Sequence, residues 1–395
     1  MTAVIVPETN GLNTHSNDLA APVGSTSVAD NVTFAREGRP ERRKGFKDYS
    51  TNLPDFLPEQ LIASAAGDQA YLHLDNGIWY KDASSGNWLR KRGVFGAKSS
   101  SPYGVVVVSG RLYYVADNTV ISLDLTTGVV SVLAGRFGVS ATTDGTGDAA
   151  RFGSLSGLTT DGTDLFVAEN QVIRRIEIST GAVTTIAGTA GSSGTADGTG
   201  AVARFSAPAH ITYLGGSIFV TDNANNTIRR VAPPLTAGAG VVTTIAGTAG
   251  ASGSSDGTGA AARFNSPIGI ANDGTSLYVS DYNTNIIRRV APPLTAGAGV
   301  VTTIAGTAGA SGSSDGTGAA ARFFGPHGMH FDGTDLVVAD NANNTIRRIA
   351  PPLTAGAGVV TTIAGTAGVG TGSVDGIGTV ARFASPRGAF CDGES

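Results

Sequence analysis

At 395 residues and 41% hydrophobic content the chain can fill a large core, and its formal charge of −4 offers no long-range attraction to nucleic acid or to an anionic membrane. A single cysteine, Cys391, excludes an intrachain disulfide framework and a multi-cysteine zinc site. No apolar run nears the roughly twenty residues of a membrane span, and Met1–Asn10 lacks the basic start and apolar stretch of a secretory signal, so a soluble protein made in a cytoplasm is expected.

Residues 1–60 form an arm unlike the rest. Its first part is polar and unpatterned, then Val28–Phe46 carries a strand pattern and a basic cluster. Arg36, Arg39, Arg42, Arg43, Lys44 and Lys47 against Glu37 and Glu41 give a local charge of +4. Such a cluster suits either a solvated loop or docking on an acidic partner or nucleic acid. Next come three short strand patterns, Ala70–Leu74, Gly77–Tyr80 and Trp88–Lys91.

From about residue 93 the chain repeats with a period near fifty-nine residues, and Arg229–Phe264 recurs letter for letter as Arg288–Phe323. A period of this size means stacked units, a solenoid or a propeller. Within one unit Pro267–Ala271, Leu277–Ser280, Ile286–Val290 and Val301–Ala305 are β-branched or aromatic runs bounded by Gly, Asp or Asn, the pattern of four strands. Asp273–Gly274 supplies hairpin chemistry, and Asp281–Asn285 is a polar turn. Four antiparallel strands per unit predict a propeller blade. The A-R-F anchors Arg151, Arg204, Arg263, Arg322 and Arg382 mark successive units, and a degenerate unit precedes them with Ser101–Gly104 and Leu112–Asp117 as its first strands. The last unit supplies only Ser385–Phe390, which is expected to complete the blade begun near residue 68 and so close the ring. The expectation is an all-β, six-bladed propeller over residues 61–395, with the Pro-Pro-Leu-Thr-Ala-Gly-Ala-Gly insert before the fourth strand as an ordered loop on one rim.

The candidate chemistry is sparse. Asp222, Asp281 and Asp340 could present oxygen ligands to a cation, but their identical recurrence fits carboxylates that each cap the turn of their own blade. Asp144, Asp197, Asp256, Asp315 and Asp375, in D-G-T-G or D-G-I-G, read as turn residues. In the pairs Arg174/Arg175, Arg229/Arg230, Arg288/Arg289 and Arg347/Arg348, strand alternation sends one arginine between blades, toward an Asp, and the other outward. A ring of arginines against a phosphate backbone is the alternative. Of His15, His73, His210, His327 and His330, only His210 and His327 fall on first strands as a candidate channel pair, short of the three protein ligands of a catalytic zinc. No nucleophile elbow, Walker loop or activated cysteine pattern occurs, so no catalytic residue, metal or cofactor is assigned.

Two resemblances follow from these motifs. Leu277–Val290, with its counterparts Ile218–Val231 and Leu336–Ile349, resembles the NHL repeat of six-bladed propellers. In the arm, the order G-L-N-T, A-D-N-V-x-F-x-R-E-G and R-R-K-G-F resembles the start of tail hub and nozzle proteins of short-tailed bacteriophages. That resemblance implies a virion tail component: a homo-oligomer, a hexamer, beneath portal and adaptor proteins, with the propeller as a mount for fibres or spikes and DNA passing along the axis. Arg36, Arg39, Arg42, Arg43, Lys44 and Phe46 would then be the assembly residues. The rival expectation is a free NHL-type module that binds a peptide, glycan or small ligand at its channel mouth.

Overall fold

The structure, a computed structural model, describes residues 104–389 apart from 117, 128, 369–371, 373 and 375–377, together with the backbone of short strands between residues 35 and 90. Residues 105–364 fold into five antiparallel blades of a β-propeller. Blade 1 runs Val105–Val108, Arg111–Ala116, Thr119–Asp124 and Val130–Gly135. Blade 2 has Leu155–Thr160, Asp164–Glu169, Val172–Glu177 and Ala182–Gly188, and blade 3 has Pro208–Leu214, Ser217–Asp222, Thr227–Ala232 and Val241–Gly247. Blade 4 has Pro267–Asn272, Leu277–Asp281, Ile286–Ala291 and Val300–Ala305, and blade 5 has Pro326–Phe331, Leu336–Asp340, Thr345–Ala350 and Val359–Ala364. The four strands read from each repeat are therefore present, in meander order, with the first strand innermost.

Two expectations are corrected. The D-G-T-G segments are not simple turns. Gly145–Thr146, Gly198–Thr199, Gly257–Thr258 and Gly316–Thr317 are two-residue strands on the outer edge of blades 2 to 5, each paired with the fourth strand of its own blade. The chain thus reaches each of these blades at its outer edge and crosses to the channel before starting the meander, so every such blade is stapled at both edges by one stretch of chain.

The second correction concerns closure. Five blades, not six, are complete between residues 105 and 364, and a separate four-stranded antiparallel sheet is formed by Pro58–Ala63, Ala70–Leu74, Gly77–Lys81 and Trp88–Arg90. In it the neighbour of Ala70–Leu74 is Pro58–Ala63, not the C-terminal strand. A partner only a short loop away costs less closure entropy than one some three hundred residues distant. The C-terminal segment nevertheless reaches the channel. Gly328 N–H donates to the Arg387 carbonyl at 2.9 Å, Ser385 N–H donates to Asn344 Oδ1 at 2.8 Å, and Asn341 Nδ2 donates to the Pro386 carbonyl at 3.0 Å. Matching contacts join earlier blades: Ser266 N–H to Asn226 Oδ1 and Gly325 N–H to Asn285 Oδ1, both 2.8 Å, and Asn223 Nδ2 to the Pro267 carbonyl, 3.1 Å. Ser385–Ala389 thus holds the inner position that would follow blade 5.

The core lies between blades. One cluster joins Val115, Val120 and Ala134 of blade 1 to Phe152, Leu158, Leu165 and Val167 around blade 2, and the next joins Phe166 and Ile173 to Phe205, Ile218 and Val231. The seams from blade 3 to blade 4, from blade 4 to blade 5 and from blade 5 to the C-terminal segment are each locked by an asparagine in the left-handed region, Asn226, Asn285 and Asn344, at φ of 57°, 62° and 58°. Asparagine tolerates this conformation better than other side chains, and its amide then receives the next blade's N–H. The proline-rich insert is ordered, as expected, and lies against the preceding blade: Gly238 N–H donates to the Thr185 carbonyl and Gly240 N–H to the Ile186 carbonyl.

Candidate functional site

The inner strands enclose a channel cavity of about 180 Å³ lined by residues of all five blades and by Gly388. In blades 2 to 5 the inner strand carries a bulge, with register lost between Leu155 and Leu158, Pro208 and Ile211, Pro267 and Ile270, and Pro326 and Met329. Successive blades press together there. A Cβ on Gly269 would overlap the His327 carbonyl, and one on Gly157 would lie 2.8 Å from Ile211 N. Glycine is required at this place by close backbone approach. Blade 3 departs from it: His210 takes the equivalent position and lines the cavity, its Cε1 3.3 Å from where a Gly328 Cβ would stand.

The lining is polar without formal charge. Thr159 Oγ1 accepts the Tyr213 N–H at 3.1 Å, and Thr212 Oγ1 accepts a bond from Asn272 Nδ2 at 2.7 Å. His330 completes the polar side, while Val105, Ile270, Met329 and Phe331 supply apolar surface. The Phe331 ring is backed by Tyr278, stacked 6.5 Å away. Among the described residues no Asp, Glu, Lys or Arg lines the cavity.

The histidines stay neutral near pH 7. Burial, with the nearby His327, pulls His210 down to about 3. Burial and the positive Arg387 pull His327 down to about 4, against a hydrogen bond to the Arg387 backbone, and burial lowers His330 against the pull of Asp332. The candidate pair does meet, His210 edge-on to His327 at 6.1 Å, and Tyr282 stands edge-on to His327 at 5.9 Å. Among the described residues no three His, Cys, Asp or Glu side chains converge to hold a metal ion. Of the expected pair only His210 lines the cavity, and His330 lines it in place of His327. Alternation after the inner-strand proline could have found it, had the bulge been legible.

The recurrent acids and arginines form a structural ring. Arg229 donates to Asp222 and Asp197 at 2.8 Å each and to the carbonyls of Arg204 and Ala196 at 3.0 and 2.9 Å, and its guanidinium lies 5.2 Å from the Phe205 ring centre. Arg174, Arg288 and Arg347 repeat this arrangement, with Glu169 in place of the inner Asp in blade 2. All four side chains are buried, while Arg175 and Arg348, their strand neighbours, reach the surface. The alternation read from the sequence therefore holds, and the buried arginines cannot meet a phosphate backbone. The assignment of the acids as turn caps is too weak. Asp222 does hold its own turn through Asn225 Nδ2 at 2.8 Å, but it also anchors the arginine, and Asp144, Asp197, Asp256 and Asp315 each tie that arginine to a fourth-strand threonine. Burial raises Asp222, pushes Asp281 up to about 7 and pushes Asp340 up to about 6, against the pull of hydrogen bonds and the paired arginine.

Of the proposed assembly residues, Arg36 and Arg39 fall on a two-stranded hairpin, Ala35–Arg36 with Arg39–Pro40, of which only the backbone is described. Arg42, Arg43, Lys44, Phe46 and Asp375 lie outside the described residues, as do His15 and the side chain of His73.

No protein-family model matches the chain, and no curated protein is similar to it in sequence. Solved structures similar in fold include an auxiliary nutrient binding protein from Bacteroides ovatus, 16% identical, covering 74% of this chain and 68% of that one, with a TM-score of 0.51. A protein of unknown function from Bacteroides thetaiotaomicron is also 16% identical and covers 84% of this chain and 82% of its own, with a TM-score of 0.51. Streptogramin B lyase, 16% identical over 77% of this chain and 82% of its own, has a TM-score of 0.49. At these identities the likeness is one of fold, the β-propeller.

Proposed function

We propose that this chain is a non-catalytic binding protein in which a rigid propeller frame presents a ligand site in its channel. The observation that carries this reading is where the repeats differ. From the arginine pair of the third strand onward, through the insert, the fourth strand and the next outer strand, Arg229–Phe264 is copied without change as Arg288–Phe323, whereas the inner strands of blades 3 and 4 read Pro208–Leu214 and Pro267–Asn272 with little in common. At one channel position the blades carry Val106, Thr159, Thr212, Ala271 and His330. A constant frame with a variable lining fits a site that selects a ligand, and loops and edges on a rigid scaffold commonly carry such function. Its test is thermal stability of the full chain against a mixed panel of neutral and charged small molecules and short peptides. A ligand that binds the folded state raises the melting temperature. A panel that leaves it unmoved counts against the reading.

The arm gives this binding protein its setting. The motif order in residues 10–46 supports a tail component of a short-tailed bacteriophage, a homo-oligomer, a hexamer, joined through Arg36, Arg39, Arg42, Arg43, Lys44 and Phe46, with portal, adaptor, fibre or spike proteins as partners. Light scattering of the full chain and of a chain lacking residues 1–60 tests the setting. Rings or portal-bound complexes formed only by the full chain support it, and two monomers indifferent to portal and adaptor proteins refute it.

A further inference from the structure

We propose that the rim of the propeller at which the inner strands begin binds an acidic polysaccharide, through a ring of arginines that precede those strands. None of these arginines lines the channel cavity, so the inference goes beyond the channel reading. Arg204, Arg263, Arg322 and Arg382 stand in the same place at successive seams, and Arg151 takes it at the seam between blades 1 and 2. In the first four, Nη1 donates to a threonine hydroxyl just past the preceding blade's fourth strand, that of Thr189, Thr248, Thr307 or Thr366, at 3.0–3.1 Å. It also donates to carbonyls of the segment that crosses to the channel, for Arg263 those of Ala260 and Ala262. Arg151 Nη1 donates to the carbonyls of Asp148 and Ala150, and where the other blades have the threonine this seam has a second, exposed arginine, Arg136.

Every one of those partners is a neutral oxygen, so the anchors fix the guanidinium without neutralising it. Among the described residues none of the five forms an ion pair, and their Nε and Nη2 groups are neither bonded nor buried. Nε and Nη2 form the edge that pairs bidentately with a sulfate or carboxylate. Asp197, Asp256 and Asp315, in the same lead-in loops, are already bound to the buried arginines and to fourth-strand threonines. Burial raises the inner acids of those cages, Asp222, Asp281 and Asp340, which lessens the negative charge beneath the rim. Asp148 alone puts an acid in a crossing segment; its counterparts are Ala201, Ala260, Ala319 and Thr379.

One half-exposed guanidinium on an anion contributes little in water and salt. One at each seam of a rigid frame acts together with the others on a chain whose own charges repeat, since each further contact forms within the bound complex. The Nη1 bonds hold the side chains in place before binding, which lowers the ordering cost. The kind of polymer follows from what surrounds the arginines. Duplex DNA is a rod with a persistence length of about 50 nm and crosses a ring the size of one propeller at two places only. Single-stranded nucleic acid is gripped by aromatic platforms under its bases. Residues 189–203, 248–262 and 307–321, which lead into Arg204, Arg263 and Arg322, are Gly, Ala, Ser, Thr, Asp and Val throughout. Phe205, Phe264 and Phe323 behind the arginines are wholly buried, and an exposed ring follows in one blade alone, Phe324. Serine, threonine and backbone groups instead offer partners to the sugar hydroxyls between the charges.

The experiment is calorimetric titration of the full chain with heparin, a sulfated polysaccharide, and alginate, a carboxylated one, at about 50 and 200 mM salt. Dextran serves as the neutral chain, and a single-stranded oligothymidylate and a DNA duplex as nucleic acids. Saturable, salt-sensitive binding of heparin or alginate is expected, with dextran silent. Arg204→Gln/Arg263→Gln/Arg322→Gln should bind about tenfold more weakly or worse, with a salt slope shallower by about one for each arginine removed. Arg289→Gln, toward the opposite rim, should bind as the parent does. The basic arm is the competing site, and Arg42→Gln/Arg43→Gln/Lys44→Gln should cost less than the rim variant. Should the rim variant fail to fold, Arg136→Gln, at an exposed position, decides by the same affinity and slope. Unchanged affinity in the folded rim variant, or in Arg136→Gln where the rim variant is unfolded, overturns the proposal, as does a loss confined to the arm variant. Tighter binding of either nucleic acid than of both polysaccharides overturns the polymer class, and silence of heparin and alginate at the lower salt overturns the surface itself. Each of these failures leaves the channel reading standing.

Discussion

Replacing Arg288 by methionine removes a guanidinium whose four bonds tie one blade together. It donates to Asp281 at 3.3 Å, to Asp256 at 2.8 Å, and to the carbonyls of Arg263 and Ser255 at 2.9 Å each. Both Arg288 and Asp281 are wholly buried, and Asp256 is half exposed. Methionine keeps most of the apolar stem against Phe264, so the loss falls on the charge. Removing one partner of a buried ion pair costs about 3–5 kcal/mol, because the other charge is left uncompensated. Arg289 is the control: on the same strand, half-buried, it donates to Ser276 Oγ at 3.0 Å, and Arg289→Met should cost about 1 kcal/mol or less. Urea unfolding followed by circular dichroism measures both. The deficit of Arg288→Met also has a predicted pH dependence. Asp281 already titrates at about 7 in the fold against about 3.9 unfolded, and loss of Arg288 raises it further. A carboxyl group with a raised folded value is best tolerated below the unfolded value, and its stability is lost as pH rises through the folded one. The deficit should therefore be larger at pH 8 than at pH 5. Equal costs for the two arginines, or a deficit that shrinks with rising pH, would refute the reasoning.

Other expectations follow from the seams, the turns and the histidines. Asn285→Ala leaves the buried Gly325 N–H without its 2.8 Å acceptor and forces alanine into a φ of 62°, at a cost of about 2–4 kcal/mol; Asn285→Gly relieves only the backbone and should recover about 1 kcal/mol by the same denaturation assay. A Cβ on Gly259 would overlap the Gly297 carbonyl of the insert, whereas one on Gly274 meets nothing within 4 Å. Both have positive φ, 53° and 87°, so Gly274→Ala should cost about 1 kcal/mol and Gly259→Ala clearly more; similar melting temperatures for the two variants would contradict the docked insert. His210 titrates at about 3 in the fold and near 6.5 unfolded, so below pH 6.5 the unfolded chain takes up a proton that the fold refuses. Stability is then lost as pH falls from 6.5 toward 3, by up to about 1.4 kcal/mol per pH unit, and His210→Asn should show a shallower loss in that window.

The blade was legible because its strands are long enough to show alternation and its turns carry Asp-Gly and Asn. Arg229–Arg230 could be split into a buried and an exposed member from strand periodicity alone, and the structure buries Arg229. The D-G-T-G strands were not legible, since two residues have no period. The acids there were assigned to turns because the partner of Asp197, Arg229, lies 32 residues away. Closure was misjudged for a related reason: Pro58–Ala63, which begins with proline, gave no strand signal against the clear match of Ser385–Phe390 to the other inner strands. The channel site was half legible. His210 and His327 were placed on inner strands, but Thr159, Thr212 and His330 carry no motif, and only the bulge at Pro326–Met329 brings His330 to the cavity.

The binding claim centres on the channel, and the chain's five histidines make imidazole NMR the most direct probe of it. Side-chain ¹⁵N–¹H spectra of the full chain, titrated at pH 7.4 with a ligand that raises its melting temperature, should show saturable shifts of the His330 and His210 resonances while His15 stays fixed. Binding that leaves His330 and His210 unmoved would place the site elsewhere on the molecule and contradict the account.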